Sequence, residues 1–120
     1  MKEAMKKIYH LANCSTCQQI IDEFGTKGKG FEKQDIKTQK ITAEQLEEMK
    51  KLAGSYEALF SRRALKYREL GLNSRELSEE EYRKFILEEY TFLKRPVIIN
   101  EDKIFVGNAP KTVAAAKSSM

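Results

Sequence analysis

What the chain has little of narrows the field first. Its longest stretch without Asp, Glu, Lys or Arg runs from Ile8 to Ile21, 14 residues that include Asn, Ser, Thr and Gln. A membrane-spanning helix needs about 20 mostly apolar residues, so no membrane span is expected. The opening Met-Lys-Glu-Ala-Met-Lys-Lys has neither the apolar core nor the small-residue cleavage site of a secretory signal. Cysteine is scarce, with two in 120 residues, and there is one histidine. His10, Cys14 and Cys17 are thus the soft metal-ligand candidates, and a lone Cys-x-x-Cys without a second pair does not build a zinc site. Basic residues are scattered: 22 Lys and Arg against 18 Asp and Glu leave a net charge of +4. That balance suits an anionic substrate or an acidic partner surface and gives no reason to expect direct nucleic-acid binding. No internal repeat or low-complexity segment interrupts the chain.

What is there fits one soluble domain over residues 1–120, with 41% hydrophobic and 33% charged residues. Its organising stretch is His10-Leu-Ala-Asn13-Cys14-Ser-Thr-Cys17-Gln-Gln-Ile20-Ile21. Lys7-Ile8-Tyr9 before it reads as a strand. Cys17, Ile20, Ile21 and Phe24 after it follow the spacing of one helix face. The Cys-x-x-Cys therefore sits at a strand-to-helix turn, with Cys14 at the helix start and Asn13 as expected N-cap. Unpaired amides and the macrodipole at a helix N-terminus stabilise a thiolate, the reactive form of cysteine. Cys14 is the expected nucleophile. Cys17, one turn in and facing inward, is placed to resolve a mixed disulfide formed at Cys14. Two close cysteines without an export signal suggest a redox-active dithiol in a cytoplasmic setting.

Further along, Phe31–Ile36 is a second candidate strand. Thr42-Ala-Glu-Gln45 has the form of a capping box, leading a helix with Leu46, Met49 and Ala53 on its buried stripe and Gly54 at its end. Residues 55–91 read as a helical insert. Ser55 caps a short helix, Ala64–Leu70 forms another before Gly71, and Ser78-Glu-Glu-Glu81 is a second capping box that leads Tyr82, Phe85, Ile86 and Tyr90 along one face. Pro96–Ile99 and Ile104–Val106 flank the polar turn Asn100-Glu-Asp-Lys103 as an antiparallel hairpin. Pro110 suits the first turn of a closing helix. The order β-α-β-α, helical insert, β-β-α with a Cys-x-x-Cys after the first strand describes an α/β, thioredoxin-like fold.

Three segments carry a resemblance to a family: Ile8-Tyr-His-Leu-Ala-Asn-Cys14; Leu59-Phe-Ser-Arg-Arg63 with Tyr67-Arg-Glu-Leu-Gly71; and Lys94-Arg95-Pro96-Val-Ile-Ile99 with Val106-Gly107. On these the chain resembles the ArsC/Spx branch of thioredoxin-fold proteins, which includes arsenate reductases and Spx-type transcriptional regulators. The resemblance implies a mixed four-stranded sheet and Cys14 as catalytic cysteine. It implies that His10 influences the ionisation of that thiol. It implies a cis Pro96 against the active-site loop, and Arg95 as an oxyanion-holding arginine, with Arg63 or its neighbour Arg62 as a second. Guanidinium groups suit that work because their planar donors match oxyanions and carboxylates. Arsenate reductases of this class usually have serine at the position of Cys17, arginine at that of Gln18, and a third arginine near Gly107-Asn108. A resolving cysteine at position 17 is the arrangement of Spx-type switches and of some reductase-like members.

Two functions follow from the resemblance. One is a thiol–disulfide oxidoreductase resembling arsenate reductase, with no bound cofactor. It would act on a small oxyanion or disulfide substrate, with glutathione or a glutaredoxin- or thioredoxin-type protein as external reductant. The other is an Spx-like redox switch that binds the RNA polymerase α subunit.

Overall fold

In order along the chain the elements are β1 (Lys6–His10), α1 (Ser15–Phe24), β2 (Glu32–Asp35), α2 (Ala43–Ala53), α3 (Leu65–Glu69), α4 (Glu79–Glu88), β3 (Val97–Asn100), β4 (Lys103–Val106) and α5 (Pro110–Ser119), with short 3₁₀ turns between several of them. The structure, a computed structural model, describes residues 5–120. Two units divide the chain: the described residues up to Lys40 together with Arg95–Met120, and Ile41–Lys94. Among the described residues no helix is long and apolar enough to cross a membrane.

The first unit is built on a four-stranded sheet in the order β2-β1-β3-β4. β1 runs parallel to β2 and antiparallel to β3, and β3 pairs antiparallel with β4. The mixed four-stranded sheet that the resemblance implies is present. All four residues of β3 are buried, which explains its uninterrupted Val-Ile-Ile run, since an inner strand has no solvent face. β2 lies at an edge and exposes Glu32 and Lys33, charges that discourage pairing with another chain. Its one buried side chain is Gln34, whose Nε2 donates to the Gln39 carbonyl at 2.9 Å. The strand is two residues shorter than the expected Phe31–Ile36.

Ile8 and Ile98 from the sheet, Ile20 and Phe24 from α1, Phe31, and Ala116 from α5 form one buried cluster, edged by Ile21, Phe105 and Val113. Burying an Ile or Phe side chain fully stabilises by about 1.5–3 kcal/mol. The cluster is what ties α1, and hence Cys14, to the sheet. Between β3 and β4 the loop is only Glu101 and Asp102, and Glu101 takes φ 61°, the left-handed backbone that tight hairpins demand. Asn100 is buried at the hairpin base and donates from Nδ2 to the Ser119 carbonyl at 2.9 Å, pairing an otherwise orphaned carbonyl at the end of α5.

In the second unit both expected capping boxes are complete. The Thr42 side chain accepts from the Gln45 amide while Gln45 accepts from the Thr42 amide, and Ser78 and Glu81 do the same for α4. α2 buries Leu46 and Met49 and ends at Gly54, which takes φ 98° and donates back to the Lys50 carbonyl at 2.8 Å. Phe60 stacks on Phe92, with centroids 4.9 Å apart, and meets Tyr82 at 4.8 Å and Tyr67 at 5.9 Å. One expectation is corrected here. Tyr90 does not continue α4, which ends at Glu88; Glu89 becomes extended and Tyr90 starts a 3₁₀ turn to Phe92. That turn brings Phe92 against Phe60, and the aromatic packing overrides the helical spacing.

Candidate active site

The chain leaves β1 at His10 and turns into α1 within four residues. The Cys14 amide donates to the Leu11 carbonyl at 3.1 Å, closing the turn, and the Cys14 carbonyl accepts the first helical bond from Gln18 N at 3.1 Å. The N-cap is therefore Cys14 itself, with extended backbone at φ −99° and ψ 108°. This corrects the expectation for Asn13, which lies one residue outside the helix and is exposed. The turn is one residue tighter than a capping asparagine would need.

An N-cap side chain is directed toward the amides of the second and third helical residues, here Thr16 and Cys17. As a neutral thiol Cys14 makes no capping hydrogen bond, so the influence of those amides is on the charged form. Burial is the largest single effect on Cys14 and opposes ionisation. Against it stand the Cys17 amide, the Cys17 thiol, the Arg95 charge and the Thr16 amide, and together they bring the pKa below the ordinary thiol value. Cys17 is the opposite case. It is 1% exposed; burial, opposed by the Leu11 amide and reinforced by the neighbouring Cys14 sulfur, pushes its thiol up to about 11. No disulfide joins the two cysteines in this structure. One turn of helix thus carries a reachable thiol that ionises more readily than an ordinary one and a buried one that holds its proton.

Arg95 and Pro96 enter from the start of β3. The Arg95–Pro96 peptide is cis and Pro96 is buried, while the Arg95 charge acts on both sulfurs. His10 is half-buried at the end of β1. Its Nδ1 lies 3.1 Å from Gln18 Nε2, which also donates to the Leu11 carbonyl at 2.9 Å. The first unit therefore brings together Cys14, Cys17 and Arg95, flanked by Pro96 and by the Gln18–His10 pair.

Arg62 and Arg63 belong to the second unit and both are exposed there. Arg62 pairs with the Glu57 carboxylate at 2.8 Å and donates to the Tyr82 hydroxyl at 2.9 Å. Gln18 is the site residue that motif reading passed over except as a departure from the reductase pattern. Its partners are eight and seven residues away across a loop, a spacing no local periodicity encodes. Among the described residues no group of three or more His, Cys, Asp or Glu could hold a metal ion.

Comparison with known proteins adds four findings. The model of the ArsC family matches residues 9–116. Over 105 residues, 86% of this chain and 79% of the relative, the sequence is 26% identical to Global transcriptional regulator Spx 2 of Bacillus anthracis. Over a shorter 47 residues, 39% of this chain and 40% of the relative, it is 40% identical to an arsenate reductase of Haemophilus influenzae. Among solved structures, an arsenate reductase from Vibrio cholerae superposes with a TM-score of 0.79 at 19% identity, covering 96% of this chain and 99% of that one. That last likeness shows the fold, and the thioredoxin-like architecture expected from the element order stands.

Proposed function

Because this chain belongs to the ArsC family, we propose that it is a thiol–disulfide oxidoreductase resembling glutathione- or glutaredoxin-linked arsenate reductase, with Cys14 as nucleophile and Cys17 as resolving thiol. The observation that carries the reading is the division of labour between the two sulfurs: a lowered pKa at accessible Cys14, and a thiol at about 11 on buried Cys17. On a disulfide substrate the Cys14 thiolate attacks one sulfur, forming a mixed disulfide and expelling the other half as a thiolate that takes up a proton. Once Cys14 is bonded its charge is gone, and one of the influences that kept Cys17 protonated goes with it. Cys17 then loses its proton and attacks Cys14, releasing the second thiol and leaving a Cys14–Cys17 disulfide. Two external thiol equivalents, from glutathione or a glutaredoxin-type donor, return the enzyme to the dithiol. Arg95 holds an anionic group of the substrate beside the sulfur.

The test is turnover of arsenate and of generic disulfides with glutathione, with and without glutaredoxin. Cys14→Ser abolishes it. Cys17→Ser leaves activity that depends on the added external thiol. Full turnover in Cys14→Ser would remove Cys14 from the role of nucleophile.

A second reading has its own support. The similarity to the Spx regulator extends over most of the chain, and Cys17 stands where such switches keep their second cysteine. On that reading the Cys14–Cys17 pair gates binding to the RNA polymerase α subunit. Capture of that subunit by the oxidised form and not by the reduced form, without turnover of small substrates, would favour the switch over the enzyme.

A further inference from the structure

The chain has one histidine, and its neighbours restrict the state of the ring. Gln18 Nε2 lies 3.1 Å from His10 Nδ1 and 2.9 Å from the Leu11 carbonyl oxygen. That carbonyl orients the amide. Turned end for end, Gln18 would set its oxygen against the Leu11 oxygen, two acceptors with no proton between them. With the amide nitrogen toward the ring, Nδ1 has to accept. A neutral imidazole has one acceptor nitrogen, so its proton is on Nε2.

We propose that Gln18 is a positioning residue that locks His10 in the Nε2-protonated form, so that His10 is not the base that deprotonates Cys14 and instead offers a hydrogen-bond donor through Nε2. To take the Cys14 proton, the ring needs a lone pair that is not already engaged. The Nδ1 lone pair is committed to Gln18, and Nε2 carries the proton. Formation of the Cys14 thiolate then rests on the α1 amides, the Cys17 thiol and the Arg95 charge, with the proton going to solvent. The same Leu11 oxygen that orients Gln18 also accepts from the Cys14 amide at 3.1 Å. Tautomer and nucleophile are thus held from one peptide group.

The charged residue paired with His10 in the sheet is Asp35 on β2, whose Oδ1 accepts from the Lys37 amide at 3.1 Å. Substituting Asp35 apart from Gln18 separates the influence of this carboxylate on the ring from that of the amide. The proposal builds on the assignment of Cys14 as the working thiol, but the ring state is read without any turnover. An inactive protein with the expected ring state would sink the enzyme reading alone.

With ¹⁵N in the single histidine ring, NMR of the reduced protein reports each nitrogen directly. Wild type is expected to show an unprotonated Nδ1 and a protonated Nε2. Gln18→Leu shifts the ratio toward the Nδ1-protonated form by roughly threefold to tenfold, the worth of one neutral hydrogen bond. Gln18→Glu, close in size and acceptor-only, makes Nδ1 a donor. Asp35→Asn leaves the ring as in wild type. A protonated Nδ1 in wild type, a ratio unmoved by both Gln18 variants, or a ring that responds to Asp35→Asn alone would each overturn the proposal.

Discussion

Replacing Cys17 with alanine removes one donor to the Cys14 thiolate, the Cys17 S–H, and keeps another, the amide of residue 17. A hydrogen bond to a charged group is worth about 1.5–3 kcal/mol, and a thiol is a weak donor, which selects the low end. About 1.4 kcal/mol corresponds to one pKa unit, so the Cys14 midpoint is expected to rise by roughly one unit in Cys17→Ala and to remain near the wild-type value in Cys17→Ser, where a hydroxyl donates instead. The effect on rate is smaller than on ionisation. Below the midpoint, a one-unit rise cuts the thiolate fraction about tenfold, while the more basic thiolate gains about threefold in nucleophilicity. Alkylation by iodoacetamide should therefore slow by about threefold to fourfold. A competing effect has the opposite sign: alanine leaves a small void beside Cys14, and water entering it would relieve the burial that opposes ionisation. The serine variant nearly preserves the volume and separates the two. The assay is the second-order alkylation rate as a function of pH, assigned to Cys14 by peptide mapping, with Cys14→Ser as blank. An alanine midpoint at or below wild type, with serine unchanged, refutes the donor role of Cys17.

Other outcomes follow from the same geometry. With its thiol at about 11, Cys17 is ionised at neutral pH in only about one molecule in ten thousand, so alkylation of the native protein stops at one adduct by mass spectrometry and reaches two on denaturation; two adducts at similar rates would contradict the burial of Cys17. The same raised pKa favours the folded state while the thiol is protonated, and that stability is lost as pH rises from the ordinary value of 9.0 through about 11. Denaturant midpoints across that range should fall less in Cys17→Ser, and equal losses would count against the linkage. The Glu79 carboxylate accepts from the amides of Tyr56 at 2.7 Å and Glu57 at 3.1 Å, so Glu79→Ala should cost about 0.5–2 kcal/mol, the worth of a helix cap, and speed hydrogen exchange at those two amides; unchanged exchange would refute the staple. Phe60→Ala, which loses three ring partners, should destabilise by about 3–5 kcal/mol in chemical denaturation, and a cost below about 1 kcal/mol would mean that the cluster repacks.

Local chemistry made much of this fold legible. Thr42 and Ser78 announced their helices because each capping box lies within four residues. Pro110 opened α5, and the Val-Ile-Ile run marked a strand buried on both faces. The reactive turn was legible for the same reason, since Cys14 and Cys17 sit between a strand pattern and a helix pattern that need no tertiary information. The misreadings share a cause too. Asn13 is as good a capping residue as any by type, and only the tightness of the turn, set by Leu11 accepting from the Cys14 amide, moves the N-cap onto the cysteine. Tyr90 kept the helical spacing and lost it to packing of Phe92 on Phe60. The pairing of Gln18 with His10, and of Arg62 with Tyr82, joins residues that no period relates. Such contacts come into being only with the tertiary structure.

The depth of Cys17 bears on the return half of the cycle. When the two sulfurs are joined, an incoming thiol can reach only the outer one, so the inner one has to depart. A thiolate expelled at a buried position is a poor leaving group, because departure quickens as the pKa of the outgoing thiol falls. Charge on Cys14 is absent at that moment and no longer adds to the difficulty, but the burial remains. On the proposed cycle the burial of Cys17 therefore weighs on both halves, holding back the thiolate that closes the ring and the departure of that thiolate when the ring opens.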